Sequence, residues 1–165
     1  GESWTNVADI TQAPFTSDPY GWVDPVTDRI FNIHMMGLES TWIGWSDNDG
    51  ESWLGNPHDS GTTPLNDHIK LATGPWVGEG YGIIGQLNPT YETAVYFCFN
   101  KLVGISCFTS FDGGATFEVG GNIVGLASTN GGLHGAITTA PDDTVYLTPR
   151  AETPTLLFPN DTVLQ

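Results

Sequence analysis

Two eight-residue segments of the chain obey one pattern, and they stand 64 residues apart. They are Ser46-Asp47-Asn48-Asp49-Gly50-Glu51-Ser52-Trp53 and Ser110-Phe111-Asp112-Gly113-Gly114-Ala115-Thr116-Phe117. Each runs Ser, any residue, Asp or Asn, any residue, Gly, any residue, Ser or Thr, then an aromatic. The side chain at the third position can bond nearby backbone N–H groups, the Gly can adopt a positive φ, and the aromatic can plug the space between sheets. Ser46, Asn48, Gly50, Trp53 and their counterparts Ser110, Asp112, Gly114, Phe117 therefore read as turn architecture rather than as chemistry.

The same offset extends upstream without a gap. Asp24-Pro25 falls on Asn88-Pro89, the strand-like 30–35 on 94–99, and Thr41-Trp42-Ile43-Gly44-Trp45 on Ile105-Ser106-Cys107-Phe108-Thr109. A third start appears at Ala140-Pro141-Asp142-Asp143-Thr144-Val145-Tyr146-Leu147. Repeats of this length, each built from hairpins, predict propeller blades rather than a helical solenoid. The expected fold is all-β: a partial β-propeller of four-stranded antiparallel blades, about two and a half to three of them. The units divide near 17–75, 76–131 and 132–165.

Composition supports this class. Gly (21) and Pro (11) are spread along the chain, as many short strands joined by turns require, and no long stretch carries helical apolar spacing. Nineteen acidic residues face four basic ones, a formal charge of −15 that repels phosphate backbones and anionic lipid heads. That argues against nucleic acid as a partner. No apolar run is long enough to cross a bilayer. The chain opens at Gly1 rather than Met, as a processed or truncated product does.

Cys98 and Cys107 stand nine residues apart on either side of Asn100-Lys101-Leu102-Val103-Gly104. With a hairpin loop over Asn100–Gly104 they oppose one another on antiparallel strands, close enough for a disulfide. Closing so short a loop stabilises by about 2.5–3 kcal/mol in the chain-entropy model, and a bridge implies an oxidising compartment. Two buried thiols are the alternative. Asn160-Asp161-Thr162 is a glycosylation sequon pointing the same way, to an extracellular or cell-surface protein.

The two Ser-to-aromatic turns resemble the Asp-boxes, or bacterial neuraminidase repeats, of sialidases and their relatives. Residues 17–25, 66–75 and 132–137 resemble segments of uncharacterised secreted sialidase-like propellers of bacteria and archaea. The resemblance spans about residues 17 to 150 and implies β-propeller blades; Asp-boxes occur in hydrolases, sorting receptors and assembly factors alike. Three departures stand out. Asn48 replaces the consensus carboxylate, and only Arg29 and Arg150 are present where a sialidase needs three arginines. The chain is also short for a six-bladed ring, so either a larger parent chain or further copies would complete it.

Candidate site residues follow. Asp67-His68 and Glu79 lie between repeats, where a carboxylate beside a histidine can serve acid–base chemistry or hold a metal; the alternative is that Asp67 caps a turn. His134 among glycines, Arg29 and Trp76 are the candidate binding residues, for a glycan or a protein partner, while the other tryptophans read mostly as packing. Asp47-Asn48-Asp49-Gly50-Glu51 clusters oxygens in a way that suits calcium without the full loop spacing of a calcium hand. The leading expectation is a non-catalytic binding or assembly module. A sialidase-type glycoside hydrolase, or a fragment of one, and a self-associating structural protein are the alternatives.

Overall fold

A computed structural model describes residues 1–7, 16–59, 66–75, 90–101, 105–122, 134–142, 144–149 and 162–164. Among them there are eleven strands in three antiparallel sheets and no helix. The first sheet comprises Tyr20–Val23 (β1), Ile30–Met36 (β2), Ser40–Ser46 (β3) and Leu54–Asp59 (β4). The second comprises Asp67–Gly74 (β5), Ala94–Asn100 (β6), Ile105–Ser110 (β7) and Glu118–Asn122 (β8). His134–Thr139 (β9), Val145–Pro149 (β10) and Thr162–Leu164 (β11) form the third. Within each sheet spatial order equals chain order, so each is a simple meander, and no sheet closes on itself. Pro57 lies on β4, the outermost strand of its sheet, the kind of strand to which proline is confined.

The sheets stack front to back. From the first, Phe31, Ile33, Met35, Ile43 and Trp45 pack on Ile69, Leu71, Val95, Phe97 and Phe99 of the second. From the opposite face of the second, Ala72, Cys98, Ile105 and Cys107 pack on Ile137, Val145 and Leu147 of the third. Ile43 and Cys107 each precede the Ser of their own turn by three residues. Equivalent positions thus face the next sheet, which makes the stacking head-to-tail. The burial patterns follow from this arrangement. β2 alternates strictly, with one face in the core, whereas β6 is buried on both faces and only Tyr96 is partly open.

Two expectations need correction. The strand Asp67–Gly74, assigned by sequence to the first unit, pairs with β6, so the sheet boundary falls between residues 59 and 67 rather than near 75. The ungapped alignment of 30–35 on 94–99 is also one residue out of step. Ile30 pairs with Ser46, but it is Val95, not Ala94, that pairs with Ser110. The cause lies in the hairpins: residues 37–39 connect β2 to β3, and residues 101–104 connect β6 to β7. A one-residue slip moves every side chain to the other face, and the longer connection keeps Val95, Phe97 and Phe99 turned toward the first sheet.

Cys98 and Cys107 are directly opposed and joined by a disulfide, with Cα atoms 4.2 Å apart. The bridge is buried in the core between the second and third sheets.

Candidate functional site

Because each sheet is an antiparallel meander, the β1–β2 turn and the β3–β4 turn emerge at one end and the β2–β3 hairpin at the other. The two repeated turns therefore share an end with Asp24–Arg29. Asp67 and His68 open β5, and His134 opens β9, so these three lie at the opposite end. Strands β1 and β5, and β5 and β9, are neighbours.

At the turn end the two repeats carry the same hydrogen bonds. Ser46 Oγ accepts from the Gly50 N–H at 2.9 Å, and Ser110 Oγ accepts from the Gly114 N–H at 2.8 Å. Asn48 Oδ1 accepts from the Ser52 N–H at 3.0 Å, and Asp112 Oδ1 from the Thr116 N–H at 2.8 Å. Gly50 and Gly114 take φ values of 84° and 99°, a region where a side chain is strained. The substitution at position 48 has a simple accommodation. Asn48 Nδ2 donates to Ser52 Oγ at 2.9 Å, whereas Thr116 Oγ1 donates to Asp112 Oδ2 at 2.6 Å. The hydroxyl reverses its role and the turn is unchanged. Burial raises the Asp112 pKa, but the bonds from Thr116, Ser110 and the Ala115 backbone outweigh it, and the net shift is downward.

Arg29, a candidate binding residue, joins these two turns. Its Nε and Nη2 donate to Asp47 Oδ1 and Oδ2 at 2.6 and 2.8 Å, and its Nη1 donates to the Gly113 carbonyl at 2.8 Å. The guanidinium also lies 4.4 Å from the centre of the Tyr91 ring. With both Asp47 oxygens so engaged, the oxygen cluster proposed for calcium loses one of its carboxylates. Among the described residues no group of three or more His, Cys, Asp or Glu side chains is placed to hold a metal ion.

Behind Arg29 sits a carboxylate that sequence reasoning did not single out. Asp24 is fully buried. Its Oδ1 accepts from the Val26 N–H at 2.9 Å, and its Oδ2 accepts from Tyr91 OH at 3.1 Å and Thr93 Oγ1 at 2.5 Å. Thr27 and Tyr91 share a further hydrogen bond. Burial, partly opposed by Thr27, pushes the Tyr91 pKa up to about 12, so its hydroxyl keeps its proton to donate. A buried carboxyl group is tolerated only when hydrogen-bonded, and here one partner comes from its own turn and two from the other repeat. The recurrence of Asp24-Pro25 as Asn88-Pro89 marks the turn, but nothing local marks its partners.

At the opposite end, Asp67 Oδ1 accepts from the His68 N–H at 2.9 Å, and His68 has φ 51° at a bulge in the β5–β6 ladder. This is backbone capping. Lys70 lies 5.0 Å from the centre of the Tyr20 ring and donates to the Ile69 carbonyl at 3.1 Å. Burial raises the Tyr20 pKa. His134 opens β9 opposite Pro149. Trp76, Glu79, Arg150 and Asn160 lie outside the described residues.

His58 was not foreseen either. From the outer strand of the first sheet it reaches into a cage of Phe97, Phe99, Phe108 and Phe117, with ring centres 4.4–5.9 Å away. Trp45 is core, Trp42 lies against Gly55, and Trp53 donates to the Gly50 carbonyl at 3.1 Å.

No protein-family model matches the chain, and no curated protein sequence matches it.

Proposed function

We propose that the chain is a non-catalytic, extracellular binding or assembly module built as part of a sialidase-like Asp-box β-propeller. The observation that carries this reading is the use of Arg29. In a sialidase-type site an arginine must be free to grip a substrate carboxylate, and here the guanidinium is held by Asp47, Gly113 and the Tyr91 ring. The blade reading is supported by three meanders stacked head-to-tail with their first strands adjacent, and by two superimposable turn networks at one end. The buried disulfide fits an oxidising compartment. Among the described residues no helix is long and apolar enough to cross a membrane.

Asp67, the described carboxylate nearest the hydrolase reading, accepts the backbone N–H of His68. A role in partner binding gives the loops around it a function without demanding proton transfer.

The test is release of fluorophore from a fluorogenic sialoside across acidic to neutral pH. No turnover above the uncatalysed rate is expected. Turnover that Asp67→Asn abolishes in a folded protein would overturn the proposal in favour of the hydrolase.

A further inference from the structure

Three dipeptides occupy one structural position: Ile30-Phe31, Val95-Tyr96 and Val145-Tyr146. Each starts at the first or second residue of the second strand of its sheet, near the end of the first, as the pairs Val23↔Ile30, Thr73↔Val95 and Thr139↔Val145 show. Val95 and Val145 lie in cores against the preceding sheet. Phe31 is in the core against the following sheet, and Tyr96 packs on the core between the second and third. Tyr146 stands in the same place and is 39% exposed, beside exposed Thr138. At the other end of the stack the back of the first sheet offers Val23, 55% exposed, beside half-buried Ile30.

Around Val23 and around Tyr146 the two surfaces lack the charge that dominates the chain. Around Val23 on the back of β1 and β2, the positions Gly21, Val23, Ile30 and Asn32 include no Asp, Glu, Lys or Arg, and the acidic position of that face, Asp59 opposite Ser40, lies at the other end of the sheet. Thr138, Tyr146 and Thr148 carry none either. In a chain of net charge −15, such faces have the charge-depleted character of contact surfaces.

We infer that the front of the third sheet, centred on Tyr146, docks onto the back of the first sheet, around Val23 and Ile30, of a second copy of this chain. The choice of occupant rests on continuity. The front-on-back contact already occurs twice within the chain, and the back of the first sheet is the matching surface. The contact is heterologous, so repeated use either closes a ring or extends a filament. This inference rests on the blade reading above and names the partner for its assembly role.

Sedimentation velocity from low to high micromolar chain concentration tests it, with Tyr146→Glu and Val23→Glu on the two faces. Leu54→Glu serves as an exposed control on neither face, and near-ultraviolet circular dichroism checks the fold of each variant. The wild type and the control are expected to sediment at a multiple of one chain's mass, and each face variant at one chain's mass. An equimolar mixture of the two face variants should recover a two-chain particle and nothing larger, because each supplies the intact face that the other lacks. A wild type that stays at one chain's mass throughout overturns the inference while leaving the non-catalytic reading intact. So does an oligomer that neither face variant disrupts. Sialoside turnover would overturn that reading whatever the particle mass.

Discussion

The indole Nε1 of Trp22 donates to the hydroxyl of Thr73 at 2.9 Å, and the carbonyl of the same Thr73 accepts from Thr139 Oγ1 at 2.8 Å. One buried residue of β5 is thereby bonded to the first strands of both neighbouring sheets. Gly74 follows at once, where an added Cβ would come within 2.6 Å of Thr139. The approach of β9 to β5 is closed to any larger residue.

Thr73→Val keeps the shape and removes the acceptor for Trp22. Leaving that donor unpaired should cost roughly 1–2 kcal/mol. Thr73→Val and Trp22→Phe should be clearly non-additive, since they break the same bond. Urea unfolding of the two single variants and the double variant measures this coupling, and strict additivity would argue against the contact.

Arg29 and Asp47 should respond unequally. Arg29 is 14% exposed in its side chain and Asp47 is 58% exposed. Asp47→Asn changes the exposed member of the pair and keeps one acceptor oxygen for Arg29, so less than about 1 kcal/mol should be lost. Arg29→Met also removes the bond to Gly113 and the stacking on Tyr91, and should cost roughly 1.5–3 kcal/mol. Thermal melts of the pair check the asymmetry; equal losses would mean that the surface ion pair is the whole of the interaction.

The second repeated turn should be acid-sensitive and the first should not, because Asp112 titrates and Asn48 does not. The folded Asp112 pKa is depressed, so its contribution is present above the usual carboxylate pKa of about 3.9 and is lost as pH falls through the folded value. The stability advantage of wild type over Asp112→Asn should therefore be greatest near neutrality and vanish in acid. Melting temperatures at several pH values decide it, a constant gap being the contrary result.

Tyr91 gives the alkaline counterpart. Its pKa is raised to about 12, so the stability it contributes is complete below the unfolded value of about 10 and lost as pH rises toward the folded one. Tyr91→Phe should unfold less steeply with pH across that window, as followed by circular dichroism. Parallel curves for wild type and variant would place the titration elsewhere.

Legibility in the sequence tracked the range of the contacts involved. The repeated turns could be read because their bonds run from one residue to the second or fourth beyond it, within a single pattern. The Cys98–Cys107 bridge was equally local. The partner of β5 was not legible: Asp67–Gly74 pairs with β6 across residues 75–93, and no local feature assigns a strand to a neighbour so far along. The one-residue slip was hidden for a different reason. β6 is apolar on both faces because sheets cover both, so either register of 94–99 fits its composition. The bonds of Arg29 to Gly113 and of Asp24 to Tyr91 and Thr93 join separate repeats, where spacing carries no signal. Arg29 looked like a free cation for that reason.

The first strands of the three sheets lie side by side at Thr73. Nuclear Overhauser contacts in the folded protein test this most directly. Cross-peaks from the Trp22 indole proton to the Thr73 side chain, and from the Thr139 side chain to the Gly74 α-protons, are predicted together. Absence of both, with a Trp22 indole proton that exchanges as fast as that of a free indole, would contradict it.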